Sequence, residues 1–102
     1  MEDRRRDMLR HFPSILRRWN GARVQLKELT SSHRTLRLYL RVPEQGGFLL
    51  VPCIDPIHIN APVEWFNAQI EVSIDEQDGF LVCDEVAGVR IHTGSVEVME
   101  FD

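Results

Sequence analysis

The alternation of polar and apolar positions changes period once along the chain, close to Gly21. Over residues 3–19, Met8, Phe12, Ile15, Leu16 and Trp19 recur at steps of four, three, one and three. At roughly 100° per residue these steps lay the five side chains on one helical stripe. Arg6, Arg10 and Arg17 fall on the opposite face. Residues 1–20 are therefore predicted to form a basic amphipathic helix. Pro13 lacks a backbone donor and crowds the preceding turn. The helix should be kinked near Pro13, or broken into two with Pro13 in the first turn of the second. Asn20 and Gly21 tolerate the left-handed backbone that commonly ends helices.

From Ala22 onward the period is two. "ARVQLKEL" places Val24 and Leu26 on one side, and "RTLRLYLRV" places Leu36, Leu38, Leu40 and Val42 opposite Arg37, Tyr39 and Arg41. With "TSSH" as the turn, these two stretches should pair as a hairpin. "GGFLLVPCI" reads as a short apolar strand. "WFNAQIEVSI" alternates with Phe66, Ala68, Ile70, Val72 and Ile74 inward. "DEQDG" reads as a hairpin turn in which Gly79 supplies a positive φ before "FLVCDEV". "VRIH" and "SVEVMEF" then alternate around "TG", which suggests a further hairpin. The expected fold class is α+β, mainly β: a small antiparallel sheet or partial barrel of about six or seven strands with one N-terminal amphipathic helix. Residues 1–102 form a single domain on this reading, with antiparallel β structure over 22–102.

The segment "PCIDPIHINAPVEWFN", residues 52–67, crowds Cys53, Asp55, His58 and three prolines into a short span. Cys53, Asp55 and His58 are zinc-type ligands, and His92 or Cys83 could join them from another strand. The spacing C-x-D-x-x-H has no ligand logic of its own, and in an extended chain Cys53 and Asp55 face away from His58. These three are weak metal candidates, and no cofactor is expected. Pro52, Pro56 and Pro62 each lack a ladder donor, which predicts an edge or crossover segment. Ile54, Ile57 and Ile59 would then tack it to the core.

Charge sharpens the picture. The chain carries 12 Lys and Arg against 16 Asp and Glu, a net charge of −4. Through Val42 there are 11 basic and 4 acidic residues; from Pro43 onward Arg90 alone faces 12 acids. The longest apolar run, "FLLVPCI", is far short of the roughly 20 residues of a membrane-spanning helix. The N-terminal stretch lacks the apolar core and small-residue cleavage site of a secretory signal, so a cytoplasmic location is the default expectation. Cys53 and Cys83 stand in apolar runs without CxxC spacing and read as core thiols. No Gly-rich elbow or paired-carboxylate arrangement names a reaction, so a non-enzymatic module is expected rather than an enzyme.

The function expected from this pattern is an interaction or accessory module. Arg6, Arg10 and Arg17 of the helix and Arg37 and Arg41 of the hairpin would face an acidic partner, or the acidic sheet of their own or a second chain. A protein partner or a homodimer is expected, with no membrane. Nucleic acid is disfavoured by the negative total charge. The alternative is a small-ligand-binding β domain with a pocket between helix and sheet, lined by Trp19, Phe48, Trp65 and Phe66. A Cys/His metal or thiol site ranks below both.

Overall fold

A computed structural model describes residues 7, 9–27, 34–75 and 79–102. One described helix, α1 (Phe12–Arg18), precedes eight strands. These are β1 (Arg23–Lys27), β2 (Thr35–Arg41), β3 (Phe48–Asn60), β4 (Glu64–Trp65), β5 (Glu71–Ile74), β6 (Phe80–Asp84), β7 (Val89–Val96) and β8 (Met99–Phe101). They form one open sheet in the order β4-β1-β2-β3-β7-β6-β5, with β8 also paired to β3. Every pairing is antiparallel. The fold is α+β and mainly β.

Pro13 occupies the first turn of α1, where its missing N–H would have no intrahelical partner anyway. Phe12 and Leu16 of α1 and the following Trp19 are buried. The helix ends before Gly21, whose φ is +88°. Arg6 and Met8 lie outside the described residues, as does the "TSSH" turn.

The sheet must curl. β4 and β5 end the strand order on opposite sides, yet only residues 66–70 join them. Six residue steps reach roughly 22 Å at full extension. Seven strands laid flat would separate the ends by about 29 Å. Backbone bonds fix the junction: Gly21 donates to Ala68 at 2.8 Å and Ala68 to Ala22 at 3.0 Å. Inside the curl, Val24, Leu38, Leu40, Leu49, Val51, Val82, Ile91 and Val96 join Leu16, Trp19 and Trp65 in one core.

Several sequence expectations are overturned. The first part of the proline-rich segment is neither edge nor crossover, because residues 48–60 form β3, an interior strand between β2 and β7; Pro62 does lie in the connection from β3 to β4, the strand at the end of the order. Pro52 pairs with Arg37, and its carbonyl accepts from Glu97 at 3.2 Å. Its missing donor therefore faces residues 97–98, where β7 has ended and β8 has not begun. Pro56 lies beyond the last β2 pair, Thr35↔Ile54, where the register with β7 shifts. Asp55 adopts φ 54° there. Cys53 is buried and Ile54 points outward by the alternation that also buries Leu49 and Val51; the alternation breaks only past Asp55, leaving Pro56 buried and Ile57 outward, 70% exposed. Of the three isoleucines only Ile59 packs on the core. "TG" is no turn, because β7 runs through Thr93 and Gly94. Phe66 is 62% exposed because strand structure lapses between β4 and β5 and Asn67 turns at φ 55°.

Candidate functional site

Alternation along β1, β2, β3 and β8 sends Leu38, Leu40 and Leu49 into the core and their neighbours outward. Register then aligns the outward residues across strands: Arg23↔Arg41, Gln25↔Tyr39↔Leu50↔Met99 and Lys27↔Arg37, with Phe48↔Phe101 beside them. Cross-strand partners share a face. The result is a band of cations interleaved with aromatic rings.

The band's geometry is specific. Phe48 stacks on Phe101 with centroids 5.0 Å apart, and Tyr39 meets Phe48 at 5.8 Å. The Lys27 ammonium lies 5.3 Å above the Tyr39 ring, and the Arg41 guanidinium 5.2 Å above Phe48. Rings attract these cations through their negative faces without neutralising their charge. Arg23 differs, since its Nε donates to Glu64 at 2.8 Å while it also lies over Phe66 at 5.9 Å. The hydrogen bond from Arg23 holds the Glu64 carboxyl below its ordinary pKa.

The helix cations are placed differently. Arg10 pairs with Asp7 at 3.3 Å. Arg17 is exposed and makes no ion pair among the described residues. Arg18, which the sequence reading passed over, pairs with Glu100 of β8, and the Trp19 indole N–H donates to the same carboxylate at 2.9 Å. Those two donors, Arg18 first, lower the Glu100 pKa. Helix and sheet of one chain are thus joined through one acid.

The four aromatic pocket candidates occupy separate places. Trp19 and Trp65 are buried, Phe48 belongs to the outer band, and Phe66 is exposed. A cavity of about 400 Å³ does lie between helix and sheet, lined by Leu16, Arg17, Ile70 and Val72 among others, and by none of the four aromatics. Trp65 has a different role. Its indole N–H donates at 2.9 Å to the carboxylate of Asp84, which is 1% exposed and also accepts from the backbone N–H of Gln69 at 2.9 Å and Ala87 at 3.3 Å. A buried carboxylate with three donors fastens β4 and its exit to the end of β6.

Cys53, Asp55 and His58 are not gathered: Cys53 is in the core, while Asp55 and His58 are exposed. Burial pushes the Cys53 thiol up to about 12. Cys83 is half-buried on the outer face, opposite Arg90. Burial, then the charges of Glu71 and Glu85, raise its pKa, which disfavours the thiolate a nucleophile needs. Register brings His58 to His92, centroids 6.0 Å apart, and the His92 Nδ1 lies 2.7 Å from Asp75. Neither imidazole bonds a hydroxyl or thiol among the described residues, and no cluster there could hold a metal ion. No described helix is long and apolar enough to cross a membrane.

Lys27, Phe101 and Glu100 escaped the sequence reading because their roles depend on partners across strands. The one available signal was the shared side of Arg37, Tyr39 and Arg41 in β2. Comparison of the chain with family models, with curated proteins and with solved structures gives no match.

Proposed function

We propose that the protein is a non-enzymatic interaction module whose cation–aromatic band on β1, β2, β3 and β8 receives an acidic segment of a partner protein. The carrying observation is that Lys27 and Arg41 lie over rings and pair with no carboxylate among the described residues. Their charge is held in place and left for an external anion. Aromatic side chains and arginine are the types enriched at protein interfaces, where rings contribute apolar area and guanidinium groups bind carboxylates in pairs of hydrogen bonds. Phe101 at 42% exposure adds apolar surface at the band's rim. Arg37 and Arg41, the hairpin arginines expected to face such a partner, both belong to the band's strand β2.

The test is calorimetric titration with polyglutamate at low salt, because contacts between exposed charges are screened within about 8 Å at physiological ionic strength. Binding that weakens with salt and is abolished in Lys27→Glu/Arg41→Glu, with the circular dichroism spectrum unchanged, supports the reading. Binding that survives the double reversal contradicts it. So does a preference for a single-stranded oligonucleotide over polyglutamate, or self-association of the protein through the band.

A further inference from the structure

We infer that the edge of β5, together with the cavity between β5 and α1, is a docking site for an extended polypeptide segment of a partner protein. The segment carries an apolar side chain for the cavity and an acidic side chain for Arg17. This surface is separate from the cation–aromatic band.

Three features converge on it. β5 ends the strand order, and its pairing with β6 runs from Glu71↔Cys83 to Ile74↔Phe80. On its other side β5 pairs with no strand among the described residues. A strand's backbone donors and acceptors point alternately to its two sides, so this edge offers unpaired ladder positions to an incoming strand.

Beside that edge lies the cavity of about 400 Å³. Pro13, Leu16 and Arg17 of α1 form one wall, following helical spacing, and Ile70, Glu71 and Val72 form the other. The volume lies in the range of roughly 300–1,000 Å³ typical of ligand pockets. Leu16 and Ile70 are buried and make an apolar floor, which suits an aliphatic or aromatic side chain.

The third feature is charge. Arg10 and Arg18, on either side of Arg17 in the chain, are both ion-paired, whereas Arg17 has no such partner among the described residues and stands on the cavity wall. Glu71 is exposed on the opposite wall, so a carboxylate on the incoming segment is complemented on the α1 side of the cavity, at Arg17. A small molecule could fill the cavity and meet Arg17, yet it would leave the open edge unused. An added strand engages the edge, the cavity and the cation together, as in strand-addition recognition, where main-chain bonds supply affinity and a pocket supplies selectivity.

The experiment pans the full-length protein against a displayed library of random extended peptides, then titrates the enriched peptides in solution. The inference expects enriched sequences that pair an apolar residue with an acidic one. Their affinity should fall about tenfold or more in Arg17→Glu, where like charges meet. Affinity should also be lost when alternate peptide nitrogens are methylated, and binding should shift the amide signals of 71–74. Lys27→Glu/Arg41→Glu should bind the same peptides as well as the wild type, which separates this site from the band. The inference is overturned if no peptide is enriched. It is equally overturned if enriched peptides ignore Arg17→Glu and backbone methylation, or if only small molecules enter the cavity while the β5 amides remain unmoved.

Discussion

The outer surface of this one sheet carries two halves of opposite character. On β1, β2, the start of β3 and β8 stand Arg23, Lys27, Tyr39, Arg41, Phe48 and Phe101. On β5, β6, β7 and the end of β3 stand Glu71, Cys83, Arg90, His92 and His58, with Asp75 just past β5 beside His92. The inner rows do not differ in this way: Leu38, Leu40 and Leu49 in the first half and Phe80, Val82 and Ile91 in the second are equally apolar and equally buried. Folding therefore asks the same of both halves and leaves their outer positions free. What differs is the chemistry of the outer face, and the concentration of cations and rings in one half is the reason for proposing an interaction there.

The comparison breaks most severely at the residue that closes the curl. Asp84→Ala would strand the Trp65 indole and the Gln69 amide without acceptors, at a cost of about 2–4 kcal/mol. Thermal unfolding should show the loss, with Asp84→Asn intermediate because it keeps one acceptor. Hydrogen exchange should rise more in β5 and β6 than in β2, since Asp84 tethers the acidic half to the β4 exit. Uniform loosening would show that the halves are not separable in this way.

A smaller effect sharpens the contrast between outer faces. Phe48 touches Tyr39 and Phe101 and lies under Arg41. Phe48→Ala should destabilise by about 1–2 kcal/mol. His58→Ala, exposed on the other half, should fall within about 0.5 kcal/mol of wild type. Equal costs in denaturant titrations would deny the band its packing role.

Much of this fold was legible in the alternation of residues, and the failures have one physical source. The hairpin of β1 and β2, the positive φ of Gly79 and the placement of Pro13 follow from local rules. Pro52 and Pro56 were misjudged because the cost of a missing N–H depends on what lies opposite it. Here the neighbours supply a gap at 97–98 and the end of β2, which no local pattern reveals. Ile57 was misplaced for the same reason, the bulge being a property of two strands rather than one. Of the candidate site, the shared side of Arg37, Tyr39 and Arg41 was legible. Its meeting with Phe48 and Phe101 required the register, and the Trp65–Asp84 bond joins residues 19 positions apart in sequence.

The thiols provide a chemical probe of the same division. Cys53, with its pKa pushed up to about 12, should resist alkylation at neutral pH until the protein unfolds. Cys83 should react slowly, and faster in Glu71→Gln, because removing a negative neighbour eases thiolate formation. An unchanged Cys83 rate would show that burial alone governs it.

The smallest expected effect is in acid. Glu64 and Glu100 both have carboxyl pKa values lowered in the folded state, through Arg23 and Arg18 respectively. Their contribution is fully present above the unfolded carboxylate pKa and is lost as pH falls through the lower folded value. Glu100→Gln should therefore flatten part of the stability loss below neutral pH while changing little elsewhere, as measured by denaturant midpoints across the acid range. Both groups are largely solvent-screened, so the change should be slight.

The central claim, that the cation–aromatic half is the partner-facing surface, is tested most directly by following backbone amide signals during a polyglutamate titration at low salt. The predicted result is a set of shifts confined to Arg23–Lys27, Arg37–Arg41, Phe48 and Phe101, absent in Lys27→Glu/Arg41→Glu. Shifts centred instead on Arg10 and Arg17 of the helix region, or on the β5–β6–β7 half, would contradict it.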